Sequence, residues 1–401
     1  MFLEQNNRTA LEIGNKEVKM YECTGKVHSI YEFAENKSGL LDKKEFSIIE
    51  KQKEYLKLIS IPYIFHKCIT RSSELAISHE YVLMKRNGAR SAYDEQNKLK
   101  FKGCRPEIHN NSTFPVENID YFKKTIKYSE IPFGILSEEG ALREILGYCF
   151  CILHSIPVSH EPICIYEYFY ENQTIGFCIL LKSLVGEKRI EQLVEYPDLS
   201  LKHLIEIKTQ KLKKINLLIG SELRIFGINV NDYSRMKAEL LIKLHFNGGF
   251  RGILNSNIGN DIIDNTNNLF VCDYDTFNVI EFPTQIDQSF LNNFVLSCLL
   301  EVFKSSISIL DFVVFKENLS LMDKNIILFG KYKEKSTLWK YYWTVFMQMT
   351  NQMKWDNEMI EIAVENCLAT EAFHKIISLV LPNNSEINSI VQNRTVYYSH
   401  N

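Results

Sequence analysis

The chain has 401 residues, 45% of them hydrophobic, and a formal net charge of −3. This length suits two domains or one large two-lobed domain with a sizeable core, and the slight negative charge excludes a global attraction to nucleic acid or anionic membrane. No uncharged apolar run reaches the length of a membrane span, and the first residues lack the basic start and apolar core of a signal peptide.

The ten cysteines form no CxxC pair and sit singly in apolar runs, which predicts buried free thiols in a reducing compartment. The expectation is a cytoplasmic protein with no membrane or nucleic-acid partner. Basic runs such as Lys98-Leu99-Lys100 and Lys211-Leu212-Lys213-Lys214 read as solvated faces.

In chain order, helical character runs from Lys43 to Ile59, and Pro62 starts a short apolar segment. Residues 80–103 read as a hairpin: Tyr81 to Met84, a turn at Asn87-Gly88, and a return from Lys98 to Gly103. Residues 105–133 read as irregular and polar, punctuated by Pro106, Pro115 and Pro132. Ser137-Glu138-Glu139-Gly140 then suits a helix N-terminus with early acids. Leu142, Ile145, Leu146, Cys149 and Ile152 recur at helical spacing as far as His154. Two strands follow, Ile163 to Phe169 and Thr174 to Lys182, joined at Asn172-Gln173. Beyond Gly186 the chain reads as mostly helical, with amphipathic candidates at Leu201 to Leu218 and Tyr233 to Phe246. A further set of helices runs from Gln285 to Leu381, with Trp339, Tyr341, Tyr342, Trp343 and Phe346 as core aromatics.

The densest chemistry lies between Gly248 and Phe277. An Asn-rich loop (Asn255, Asn257, Asn260) precedes the apolar run Leu269 to Cys272, which ends in Asp273 and Asp275. A loop amide with a strand-end carboxylate is a usual means of holding the metal on a nucleotide's phosphates, and Mg²⁺ takes oxygen ligands. The same residues also suit a polar hairpin leading into a buried strand. Asn260 and Asp273 are the candidate metal ligands. Asp275 is a candidate for a second metal or for capping a turn, Asp261 is a spare carboxylate, and Asn255 and Asn257 are placed to contact phosphate or orient the loop.

Upstream, Lys102 ends a strand and Glu144 lies in the following helix, the order of a phosphate-gripping lysine and its orienting glutamate. A strand-end lysine and a helix glutamate also occur together in many folds. Gly134 lets backbone approach a phosphate or simply completes a Pro-x-Gly turn. Lys182 and Arg189 are two cations for triphosphate oxygens, or two solvated side chains.

Taken together, these segments resemble the selenoprotein O family of protein-kinase-like AMP transferases, over residues 80–282. Phe101-Lys102-Gly103-Cys104-Arg105-Pro106 stands in the place of that family's Leu-Lys-Gly-x-Gly-Arg-Thr-Pro run. Phe133-Gly134 lies nine residues before Arg143-Glu144, where the family has Asp-Gly before an Arg-Glu pair. Lys182 and Arg189 have the seven-residue spacing of its two phosphate arginines. Arg251-Gly252-Ile253-Leu254-Asn255-Ser256-Asn257 is similar to its His-Gly-Val-Met-Asn-Thr-Asp-Asn loop. Cys272-Asp273-Tyr274-Asp275-Thr276-Phe277 is similar to its Ile-Asp-Tyr-Gly-Pro-Phe strand end. Asn87-Gly88-Ala89-Arg90 stands for its Asp-Gly-Arg nucleotide turn, which makes Gly88 and Arg90 candidate nucleotide contacts together with Arg105.

The resemblance implies an α+β, protein-kinase-like fold with a β-rich N-terminal lobe and a mostly helical C-terminal lobe. The boundaries expected are an N-terminal extension at 1–75, the N-lobe at 76–185 and the C-lobe with its metal-binding loop at 186–401. It also implies ATP with Mg²⁺ or Mn²⁺, and AMP or phosphate transfer to a protein or small-molecule acceptor. Lys102 and Glu144 become the phosphate lysine and its partner. Asn257 stands where the family has its catalytic carboxylate and cannot accept a proton as a base, so the alternative is an inactive pseudokinase that binds nucleotide or a partner protein. The chain has no Gly-x-Ser-x-Gly, His-Glu-x-x-His or Gly-x-x-x-x-Gly-Lys-Ser/Thr motif.

Overall fold

The computed structural model describes residues 17–61, 66–87, 90–106, 113–120, 125–132, 134–185, 224–225, 228–252, 255–256, 260–264, 268–314 and 338–369. The predicted helix at Leu201 to Leu218 lies outside them, as do Gly88, Arg189 and Asn257. The fold is mixed, with a large antiparallel sheet and several helices. Its described residues divide into two compact units, one within 1–118, 127–194 and 261–279, the other within 119–126, 195–260 and 280–401.

The first unit opens with strands β1 (Glu17–Cys23) and β2 (Gly25–Ser29). Helices α1 (Ile30–Asn36), α2 (Lys43–Lys51) and α3 (Lys53–Leu58) follow. Asp42 begins α2 with a capping box: its carboxylate accepts from the Glu45 amide, and Glu45 accepts from the Asp42 amide. Next come β3 (Ile69–Thr70), β4 (Ala76–Asn87), β5 (Ser91–Asp94) and β6 (Leu99–Lys102). The expected hairpin is therefore a three-stranded meander. The return from Asn87 is the short β5, and residues 99–102 form the third strand after a turn in which Asp94 accepts from the Asn97 amide.

Residues 105–133, expected to be irregular, contain a two-stranded sheet of β7 (Thr113–Asp120) and β8 (Thr125–Pro132). A two-stranded ribbon has free edges, where proline's missing N–H costs little. Helix α4 (Glu138–Leu153) begins at the expected cap, with Ser137 Oγ accepting from the Gly140 amide. It leads to β9 (His160–Tyr170) and β10 (Gln173–Ser183). Glu171 and Asn172 both have positive φ, 48° and 63°, as a tight two-residue hairpin loop demands.

The eight strands are ordered β2-β9-β10-β6-β5-β4-β1-β3, so residues 17–70, expected as part of an extension, supply three strands of the main sheet. Side chains alternate between the faces of a sheet. Phe101, opposite Leu180, joins a core with Leu99, Cys164, Tyr166, Tyr168 and Cys178. Lys102, opposite Ile179, projects to the other face, where α4 packs on β9 and β10.

The chain then passes through β11 (Arg224–Ile225), β12 (Ile228–Asn229), α5 (Val230–His245) and β13 (Gly249–Phe250) of the second unit. It returns to the first unit in β14 (Asp261–Ile263), β15 (Leu269–Val271) and β16 (Asn278–Val279). Its later described elements, in the second unit, are α6 (Gln288–Val314), α7 (Leu338–Gln352) and α8 (Asn357–Ala369). Phe246, Phe294, Phe346 and Trp355 build that unit's aromatic core. Trp339, Tyr342 and Phe346 are buried as expected, while Tyr341 and Trp343 are half-buried. No helix among the described residues is long and apolar enough to cross a membrane. None of the ten cysteines forms a disulfide and all are buried, and burial pushes the thiols of Cys68, Cys104 and Cys164 up to about 12.

Helix α4 approaches residues 273–277 closely because Gly147 has no side chain. A Cβ there would meet the Tyr274 Cβ at 2.5 Å. Alanine gains about 1 kcal/mol in helix propensity over glycine, but overpacking a core costs roughly 1–3 kcal/mol. Gly147→Ala is expected to lower stability in urea unfolding despite the better helix former; a more stable variant would refute the close packing.

Candidate functional site

Lys102 is 2% exposed, and its ammonium is enclosed by carboxylates. Its Nζ donates to Glu144 Oε2 at 2.8 Å and lies 2.9 Å from Asp273 Oδ1 and 3.5 Å from Asp275 Oδ2. Arg90, just before β5, pairs with Asp275 Oδ2. The site is built from four places in the first unit: the residue just before β5, the end of β6, the second turn of α4, and the segment after β15.

Local structure aims each group. Lys102 is delivered by strand alternation to the face that α4 covers. Glu144 Oε2 also accepts from the Tyr274 amide at 2.8 Å, so one carboxylate oxygen joins the lysine to the backbone between the two aspartates. Asp273 has φ 64°, a conformation uncommon outside glycine, in which asparagine and aspartate are enriched. Such outliers cluster at functional sites. Tyr274 is held by its ring against Phe277 and by its hydroxyl, which donates to Val271 O at 3.2 Å.

Burial pulls the Lys102 pKa down, but Asp273, Asp275 and Glu144 outweigh it and the net shift is upward. The amine is thus held as a cation. Glu144, Asp273 and Asp275 thus surround the Lys102 ammonium, and Asp275 also meets the Arg90 guanidinium. Among the described residues no group of three or more His, Cys, Asp or Glu side chains is arranged to hold a metal ion. An ion on Asp273 and Asp275 would complete its shell with phosphate and water, which is how Mg²⁺ is commonly bound. Two carboxylates on one short segment fit that role.

Lys182 is opposite Leu99 in the sheet, three residues beyond Ile179. Alternation therefore sends it to the face opposite Lys102, where it is exposed. Gly134, with φ 91°, serves a backbone approach to Arg105. A Cβ on it would meet the Arg105 carbonyl oxygen at 1.7 Å, and the Arg105 amide donates to Gly134 O. Asp261, the spare carboxylate, is fully buried in β14.

Asn255 and Asn260 belong to the second unit, where Asn260 Nδ2 donates to Asn255 Oδ1 at 3.4 Å. Their loop is tied down from α6. Glu301 accepts from the Gly252 amide at 2.7 Å, Ser256 Oγ donates to Gly252 O, and Ser305 Oγ donates to Ser256 O. Glu301 also lies 3.1 Å from His245 Nε2, whose Nδ1 is 2.7 Å from the Tyr342 hydroxyl. This buried network carried no local sequence signal. The Arg90–Asp275 pair, 185 residues apart, had none either.

Removing one partner of a buried ion pair costs roughly 3–5 kcal/mol, because the remaining charge is stranded. Lys102→Ala is expected to lose stability on that scale in urea unfolding, while Lys182→Ala stays within about 0.5 kcal/mol, as exposed positions do. Equal losses would contradict the assignment of the two lysines to different faces. A comparison with protein-family models finds no match for this chain, and a comparison with curated proteins finds none.

Proposed function

We propose that the chain is an ATP-dependent transferase of protein-kinase-like architecture, moving AMP or phosphate onto a protein or small-molecule acceptor. The observation that carries this reading is the buried Lys102, bonded to Glu144 of the next long helix and to Asp273 at a strand end. Kinases need both a strand lysine paired with a helix glutamate and a metal-holding aspartate. The order of elements supports it too. Strand β6, helix α4, the Asn-rich loop, the short β14–β15 hairpin and Asp273 follow one another as that architecture requires.

In this reading Lys102 holds phosphate oxygens, and Glu144 keeps its ammonium oriented. Asp273 and Asp275 would hold Mg²⁺, which supplies charge neutralisation of the phosphates. Arg90 is freed from Asp275 to face the nucleotide. Positioned cations stabilise charge developing on the transferring phosphorus. The sequence has no carboxylate between Asn255 and Asn260 to take a proton. An acceptor that is already ionised, a carboxylate or a phosphate, removes that need.

The loop's lack of a carboxylate favours a second reading, a nucleotide-binding module without turnover. Thermal unfolding with ATP and Mg²⁺ tests both. Ligand at one hundred times its Kd should stabilise the fold by about 2.7 kcal/mol, and Asp273→Asn should abolish the gain. Label from α-phosphate on a product identifies AMP transfer, and label from γ-phosphate identifies phosphorylation. Binding without any labelled product selects the module, and the absence of any nucleotide-induced shift overturns both readings.

A further inference from the structure

We propose that Arg143 is a positioning residue for the Lys102 site and that Glu45, on α2, is the anchor it works against. Arg143 adjoins Glu144 on α4 but faces other partners. Its Nε donates to Glu139 Oε1 at 2.8 Å. Its Nη1 has three acceptors within reach: Phe277 O at 2.7 Å, Asn278 Oδ1 at 2.9 Å and Glu45 Oε1 at 3.2 Å. Two hydrogens shared among three acceptors describe a bifurcated hub. The fork of the guanidinium makes such a hub possible, whereas a lysine ammonium lacks that geometry.

The geometry gives this hub a specific consequence. Glu144 joins α4 to the Tyr274 amide, and Arg143 joins the same helix to residues 277 and 278, a few positions further on. Two attachments from adjacent helix residues fix both the rotation of α4 about its axis and its height over the 273–278 segment. The reach between Lys102, Glu144 and Asp273 depends on both. Glu45 brings in a third element. One of its oxygens closes the capping box that starts α2, and the other meets Arg143. Glu45 is buried, and burial pushes its carboxyl up against the opposing pull of Arg143. The start of α2 is therefore built on the same carboxylate that braces α4, so a segment expected as part of an N-terminal extension becomes a brace for the site.

The consequence for nucleotide rests on the function proposed above, but the positioning has its own readout. The Tyr274 amide is held only as well as Glu144 is placed, and its hydrogen exchange can be followed in the full chain without ligand. Arg143→Lys is expected to speed that exchange at least tenfold and to weaken ATP–Mg²⁺ binding by a similar factor. The paired amides of β9 and β10 should keep their wild-type rates. Glu45→Gln should produce the same pattern to a smaller extent, and Glu139→Ala, which removes a half-exposed partner, should leave Tyr274 unchanged. Unaltered Tyr274 exchange in both Arg143→Lys and Glu45→Gln overturns the proposal, as does an equal acceleration of the β9 and β10 amides, which would mark Arg143 as a general stabiliser. Faster Tyr274 exchange in a protein that binds no ATP leaves the positioning intact and removes the transferase reading.

Discussion

A lysine cannot be left alone in a protein interior. Desolvating its ammonium is expensive unless carboxylates compensate, and Lys102 is compensated by three, drawn from a helix and from a strand end far along the chain. That demand explains much of the first unit. Strand β6 must carry its lysine to the face that α4 covers, α4 must present Glu144 at that height, and the chain must come back after α5 to bring Asp273 and Asp275. The positive φ of Asp273 and the missing side chain at Gly147 both serve this convergence.

How much of this could be read from the residues depended on range. Local signals were legible. Ser137 with its early acids marked the start of α4, the Asn172 turn marked the β9–β10 hairpin, and buried lone thiols followed from their apolar surroundings. Lys102 and Glu144 were found through their order along the chain, and the hydrogen bond between them agrees. Interactions that depend on tertiary approach were invisible. Nothing near Arg143 points to Glu45, 98 residues earlier.

Two readings changed for different reasons. Strand β5 was missed because four residues, Ser91 to Asp94, carry too short a pattern to stand out from the turns around them. Lys182 was grouped with the site because sequence spacing ignores sheet parity. Once Lys102 is set opposite Ile179, position 182 falls on the other face whatever its charge. The prolines that suggested irregular chain over 105–133 are compatible with a two-stranded ribbon, since only interior strands exclude them.

The burial of every thiol gives the molecule an internal clock. A thiol reagent can reach Cys149 or Cys151 only while α4 is lifted from its bed, and Cys164 or Cys178 only while the sheet's core is open. The native chain therefore carries reporters of two separate openings, one beside the charged cluster and one behind it, without any engineered label.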